Sequence, residues 1–224
     1  MSRRSAPRGK QEAAVFEAKR DAPVVASLAQ AMGMALDADR LHALAGYAAL
    51  VAMWTRRVDL VATRGARELV ELLFQDAFVL AASNWIPEGA RLVDVGAGGG
   101  APTLPLALLR PDVSALLIEP RQKRGAFLRT ATASLGLVGR VLVHEGRVEP
   151  EAPATDLGDF DLSLSRATFA PELWVPTGLA LAPATVALLG AAEWPEEMRA
   201  PTDARDYVVP SNGARRRALL FRRD

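Results

Sequence analysis

The stretch Arg91-Leu92-Val93-Asp94-Val95-Gly96-Ala97-Gly98-Gly99-Gly100-Ala101-Pro102 reads as a strand that runs into a glycine turn and then into a helix. Glycines at such a turn permit positive φ and let backbone N–H groups come close to a ligand. Gly96, Gly98 and Ala101 satisfy the dinucleotide pattern G-x-G-x-x-G/A, so a nicotinamide site and a ligand-free turn both stand beside other readings. Asp94 separates them. It ends an otherwise apolar strand, where a carboxylate needs a positive partner. A sulfonium-bearing amino-acid cofactor supplies two positive groups, whereas a pyrophosphate adds like charge. Glu119, 23 residues after Gly96, ends the next strand, where an acid binds ribose hydroxyls in either cofactor class. The stretch therefore points to S-adenosylmethionine, with the loop Asp94–Gly100 as its site.

Outward from this loop, strand-like runs recur at Ser114–Glu119, Val141–His144, Asp161–Leu164 and Thr185–Leu189, with helix-compatible segments at Leu104–Leu109 and Arg121–Leu137. Short apolar strands separated by helices predict a parallel sheet covered on both faces. The last runs, Asp206–Val209 and Arg217–Arg222, flank Pro210-Ser211-Asn212-Gly213-Ala214. Asn-Gly between strands signals a hairpin, so the sheet should end in an antiparallel pair. Five parallel strands plus that pair give an α/β, Rossmann-like, seven-stranded sheet of the class I methyltransferase type.

Before Pro87 the periodicity is helical. Apolar stripes run through Val24–Ala35, Leu41–Trp54 and Leu69–Leu80, with Asp37 or Asp39 placed to cap the second. The expected organisation is a disordered basic tail over 1–20, a helical cap over 21–85, and the Rossmann-like domain over 86–224. Residues 1–20 hold six Lys/Arg against two Glu, and residues 215–224 five Arg against one Asp, around an acidic body. Such basic ends suit a polyanionic partner, and equally a solvated tail and an Arg-rich last strand. With 50% hydrophobic residues, whole-chain disorder is excluded, and no apolar run reaches the length of a membrane span. A cytoplasmic monomer without a secretory signal is expected.

The inventory of reactive groups is short. There is no cysteine, so thiolate metal sites, disulfides and covalent activation of a pyrimidine by a thiolate are excluded. No metal site is expected. No Asn/Asp-Pro-Pro-aromatic segment occurs, the usual arrangement for methylating exocyclic amines. His42 falls in the helical cap and reads as a surface or packing residue, and His144 closes a strand, where it reads as a structural histidine ahead of a base. A target that gives up no proton, such as guanine N7, fits this inventory, because catalysis then reduces to positioning and stacking. Phe169 and Trp174 are candidates for that stacking or for core, whereas Trp54, Trp85 and Trp194 read as packing.

From Trp54 to about Phe169 the chain resembles the small-subunit ribosomal RNA guanine-N7 methyltransferases, the glucose-inhibited division protein B family. The resemblance is carried by Asp94–Pro102 with Leu104-Pro105-Leu106-Ala107, by Lys123-Arg124-Gly125-Ala126-Phe127-Leu128, and by Leu135-Gly136-Leu137. Arg147-Val148-Glu149, Ser165-Arg166-Ala167, Asp59-Leu60-Val61-Ala62 and Asp76 complete it. It implies S-adenosylmethionine at Asp94, Gly96, Ala97, Gly98, Gly100 and Glu119, with Arg147 and Val148 near the adenine. Arg166 would lie beside the transferred methyl as the catalytic candidate. Lys123, Arg124 and Phe169 would meet the substrate, ribosomal RNA or the small subunit. Departures from the family pattern fall at Val61, Leu73, Ala77 and Leu189, where polar residues are expected, and at Thr103, where a glycine is expected. A changed substrate or a silent cofactor binder is the alternative they raise.

Overall fold

Strands that are apolar on both faces need cover on both sides, and the chain supplies it in sequence order. The computed structural model describes residues 15–63, 65–151, 157–190, 194–195 and 198–223. Three helices come first: α1 (Ala18–Ala31), α2 (Ala38–Thr55) and α3 (Ala66–Ala82). Then follow β1 (Arg91–Val95), α4 (Thr103–Leu109), β2 (Ser114–Ile118), α5 (Gln122–Ser134), β3 (Val141–His144), β4 (Leu162–Arg166), α6 (Pro171–Leu181) and β5 (Ala184–Leu189). A hairpin of β6 (Asp203–Val208) and β7 (Arg215–Arg222) closes the chain. The sheet order is β3-β2-β1-β4-β5-β7-β6, with β1 to β5 parallel and β7 antiparallel to both neighbours. This is the expected seven-stranded sheet. Strand order reverses between β1 and β4, which opens a crevice at the carboxyl ends of the strands.

Alternation along β1 sends its side chains two ways. Leu92 joins a core shared with the three leading helices, including Val25, Leu44, Tyr47, Leu73 and Phe74. Val93 and Val95 face the other way, towards Trp174 and Val175 of α6. Asp94, in step with Leu92, therefore turns its carboxylate towards the helical cap.

Asp37 caps α2 by accepting from the Arg40 amide at 2.7 Å. The Asn-Gly turn forms as read, with the Val209 and Gly213 amides donating to Ala214 O and Val209 O. One boundary needs correction. The tail over 1–20 is too long, because α1 starts at Ala18 and Phe16 is buried. Asp21 accepts from the Glu17 amide at 2.8 Å and pairs with Arg20, so those charges line a helix start. Residues 1–14 of that expectation lie outside the described residues. Of the C-terminal arginines, Arg217 pairs with Asp206 across the hairpin, and the Arg223 guanidinium donates to Leu179 O and Ala182 O. No helix among the described residues is long and apolar enough to cross a membrane, and no cluster there could hold a metal ion.

Candidate active site

The glycine loop is clamped from three sides. The amides of Gly96 and Ala97 both donate to Ile118 O at the end of β2, at 2.8 and 3.1 Å. Glu119 receives the Gly98 amide on one carboxylate oxygen at 2.9 Å and the Arg121 amide on the other at 2.8 Å. From the cap, the buried Tyr47 hydroxyl donates to Gly99 O at 2.6 Å. Gly96 and Gly98 have φ of 76° and 55°, a left-handed conformation that side chains adopt only under strain. Their surroundings differ. A Cβ at Gly96 would overlap the Thr168 side chain, whereas at Gly98 it would meet nothing nearer than 3.8 Å. Gly96 is fixed by close packing, and Gly98 leaves the front of the loop open.

Asp94 is buried, and Thr103 Oγ1 donates to its carboxylate at 2.6 Å. Burial pushes its pKa up to about 7, against the opposing pull of the Thr103 hydrogen bond and the Arg166 charge, with Glu119 adding to the rise. Thr103, which stands where the family pattern has glycine, is thus the one side-chain donor to this acid among the described residues.

A cavity of about 370 Å³ opens beside the loop, within the roughly 300–1,000 Å³ of small-molecule sites. Of the residues singled out from sequence, Gly96, Glu119, Arg124, Arg147, Val148 and Phe169 line it. Asp94, Ala97, Gly98 and Gly100 lie behind or beside that lining, and Lys123 is exposed outside it. Gly100 packs against Leu104 and Leu128, so its lack of a side chain serves the core. The lining suits the expected cofactor: an acid at the end of β2 for hydroxyls, and the apolar Ile118 and Val148 for a flat ring. Phe169 lies nearly parallel to Trp174, 9° between planes with centroids 6.0 Å apart, so the β4 end offers an aromatic platform. His42 and His144 are both exposed, and neither lines the cavity.

Arg166 departs from its expected place. Its guanidinium turns to the cap, where Nη1 donates to Leu72 O at 2.7 Å and pairs with Asp76 at 3.1 Å. Tyr207 of β6 donates its hydroxyl to the other oxygen of Asp76. Ala167 follows with φ of 55°, a conformation rare for a residue with a side chain, and it lines the cavity with Thr168. Sequence reading missed Tyr47, Thr103, Thr168 and Tyr207. Tyr47 and Tyr207 act on the site across 52 and 131 residues of chain, a separation that leaves no local signature.

The family model described as GidB, rRNA small subunit methyltransferase G, matches residues 40–175. The chain belongs to this family. The matched span runs from α2 into α6 and contains every residue that lines the cavity. Among curated relatives, the ribosomal RNA small subunit methyltransferase G of Halorhodospira halophila is 37% identical over 194 residues, covering 83% of this chain and 88% of its own. That of Myxococcus xanthus is 31% identical over 210 residues, covering 87% and 94%. A solved structure of an uncharacterized protein from Listeria monocytogenes serotype 4b shares the fold at a TM-score of 0.50, with 16% identity over 67% of each chain.

Proposed function

We propose that this chain methylates N7 of a guanine in small-subunit ribosomal RNA, as a cytoplasmic monomer, at the cavity between the ends of β1, β2 and β4. Family membership makes it an S-adenosylmethionine-dependent methyltransferase of ribosomal RNA. The observation that carries the finer reading is that the family match encloses the whole cavity lining, in which no histidine or thiol stands ready as a base.

When bound, the cofactor supplies an electrophilic methyl group on a positively charged sulfur. Glu119 holds ribose hydroxyls with the lone pairs its two amide contacts leave free. Asp94, behind the loop, balances the positive amino-acid end of the ligand. The backbone at Arg147 and Val148 borders the adenine. Phe169, backed by Trp174, stacks the incoming base, and Lys123 and Arg124 meet its flanking phosphates. Guanine N7 has a free lone pair and loses no proton on alkylation, so these residues need only orient the base and exclude water. Arg166 acts as a positioning residue, holding the β4 end against the cap.

The departures from the family pattern favour this reading over a changed substrate. Leu73 and Ala77 are fully buried in the cap core, and Leu189 is buried at the end of β5. None of these three, nor Val61, lines the cavity. The test is transfer of labelled methyl from S-adenosylmethionine to ribosomal RNA or small subunits, with sites mapped by borohydride and aniline cleavage. A break at one guanine, dependent on the protein, is expected. Label in no RNA fraction, with cofactor binding intact, would overturn the assignment.

A further inference from the structure

Two segments distant in sequence meet at the rim of the cavity. Arg124 Nε donates to Asp59 O at 2.9 Å, and its Nη2 lies 3.5 Å from the Asp59 carboxylate. Trp54 packs edge-on against Phe127 with centroids 5.6 Å apart. These contacts bring the carboxyl end of α2, with Arg56 and Arg57, beside the start of α5, with Arg121 and Lys123. All four cations are exposed, and none has a hydrogen bond or ion pair through its side chain among the described residues. Of the acids around them, Asp59 pairs with Arg124, Glu145 with Arg129 at 2.5 Å and Glu149 with Arg147 at 3.8 Å, whereas Glu119 meets backbone amides and no cation among the described residues. The rim therefore sets four cations without partners against one such acid, and Arg121 at its inner edge also lines the cavity.

We propose that this joint between cap and sheet, Arg56 and Arg57 with Arg121 and Lys123, is the surface that grips the RNA backbone on either side of the target base. The inference rests on the RNA reading above and locates it. Unpaired cations attract a polyanion, and their release of condensed counterions on binding makes affinity fall steeply with salt. A base that enters the cavity leaves its neighbouring phosphates at the mouth, where these side chains stand. The occupant is thus a looped or single-stranded RNA segment, whose base can leave the stack.

The test uses the full chain with Arg56→Glu plus Arg57→Glu, and separately Lys123→Glu. None of these positions lines the cavity, so S-adenosylhomocysteine affinity by calorimetry should match the wild type, which also reports folding. Binding to a ribosomal RNA fragment is measured across salt concentrations. At about 0.7 of log–log slope per phosphate contact on a single strand, the double variant should lose about 1–2 from the slope, and Lys123→Glu about half as much. Affinity at low salt should fall at least tenfold. An unchanged slope, with wild-type protein still methylating RNA, overturns the rim and spares the proposed reaction. Wild-type protein that neither binds nor methylates RNA overturns both. A loss seen with assembled subunits and absent with naked RNA assigns the rim to a ribosomal protein and overturns the RNA contact.

Discussion

Asp94 holds a carboxylate where water does not reach, with a single hydroxyl donor and a pKa raised to about 7 by burial. Between the ordinary carboxylate value of 3.8 and about 7 the folded chain binds more protons here than the unfolded one. This residue therefore lowers stability as pH rises through that window and has no further effect above it. A positive ligand near the acid favours its ionised form, so cofactor binding should release a proton below pH 7. Calorimetry should find S-adenosylmethionine affinity rising with pH, by up to tenfold per unit, and levelling above 7. Asp94→Asn should bind weakly with a flat profile, and a pH-independent wild type would remove Asp94 from this role. Glu119 carries a double duty that sequence reading does not reveal. Glu119→Ala strips the partners from two backbone amides at the loop, as well as removing the acceptor for ribose hydroxyls. It should lower unfolding free energy by about 1–3 kcal/mol in the absence of ligand, measured by urea titration, and weaken cofactor binding besides. The glycines divide in the same way. Gly98→Ala should cost about 1–2 kcal/mol through its positive φ alone, whereas Gly96→Ala also drives a methyl into Thr168 and should cost more.

Most elements were legible because their apolar patterns are dense, and the gaps fall where polarity or proline hides them. The central strands are buried runs, which the eye finds directly. β6 begins three residues earlier than its expected start at Asp206, because Asp203-Ala204-Arg205-Asp206 shows no apolar alternation. Its charges are matched by local and cross-strand pairs. β7 likewise opens at Arg215, two residues before the expected Arg217, with Arg217 anchored to Asp206. Helix α6, which the sequence reading does not mark, starts on Pro171, a position that suits proline, runs through Pro176 and buries Trp174, Val175 and Leu181. At the junction of α3, β4 and β6, Asp76 and Arg166 stood out in the sequence but Tyr207 and the meeting of the three did not. Asp76 there accepts from Arg166 and from Tyr207, and so ties the end of β4 to both the cap and the terminal hairpin. Tyr207→Phe removes one donor without opening a cavity. It should lower kcat several-fold with the Kd for S-adenosylhomocysteine unchanged, because the hydroxyl it removes bonds to Asp76, the support of Arg166, and the ring keeps its packing. An unaltered kcat would show that Arg166 is held well enough by Leu72 O and the remaining ion pair.

At the scale of the whole molecule, the change from helical to alternating pattern near Pro87 reads in sequence as a boundary between two units. The packing joins them. A single buried cluster runs from Val25 and Leu44 through Leu69 and Phe74 to Leu92, Leu104, Leu117 and Phe127, so the cap supplies one wall of the sheet's own core. Tyr47 of the cap also holds the glycine loop, and the buried Asp94 faces the cap side. Periodicity marks where an element lies and which stripe is apolar, but it does not say what that stripe packs against. Two domains with separate cores can unfold separately, whereas one shared core imposes a single cooperative transition. Near-ultraviolet and far-ultraviolet circular dichroism should therefore follow coincident thermal curves, and S-adenosylhomocysteine should raise both midpoints together. Phe74→Ala, deep in the cap, should destabilise the whole chain by about 3–5 kcal/mol and move the single transition down without splitting it. A chain lacking residues 15–85 would expose the sheet's apolar wall and should not hold a native fold. Two resolved transitions, or a stable cofactor-binding fragment that begins at residue 86, would show the cap to be a separate unit.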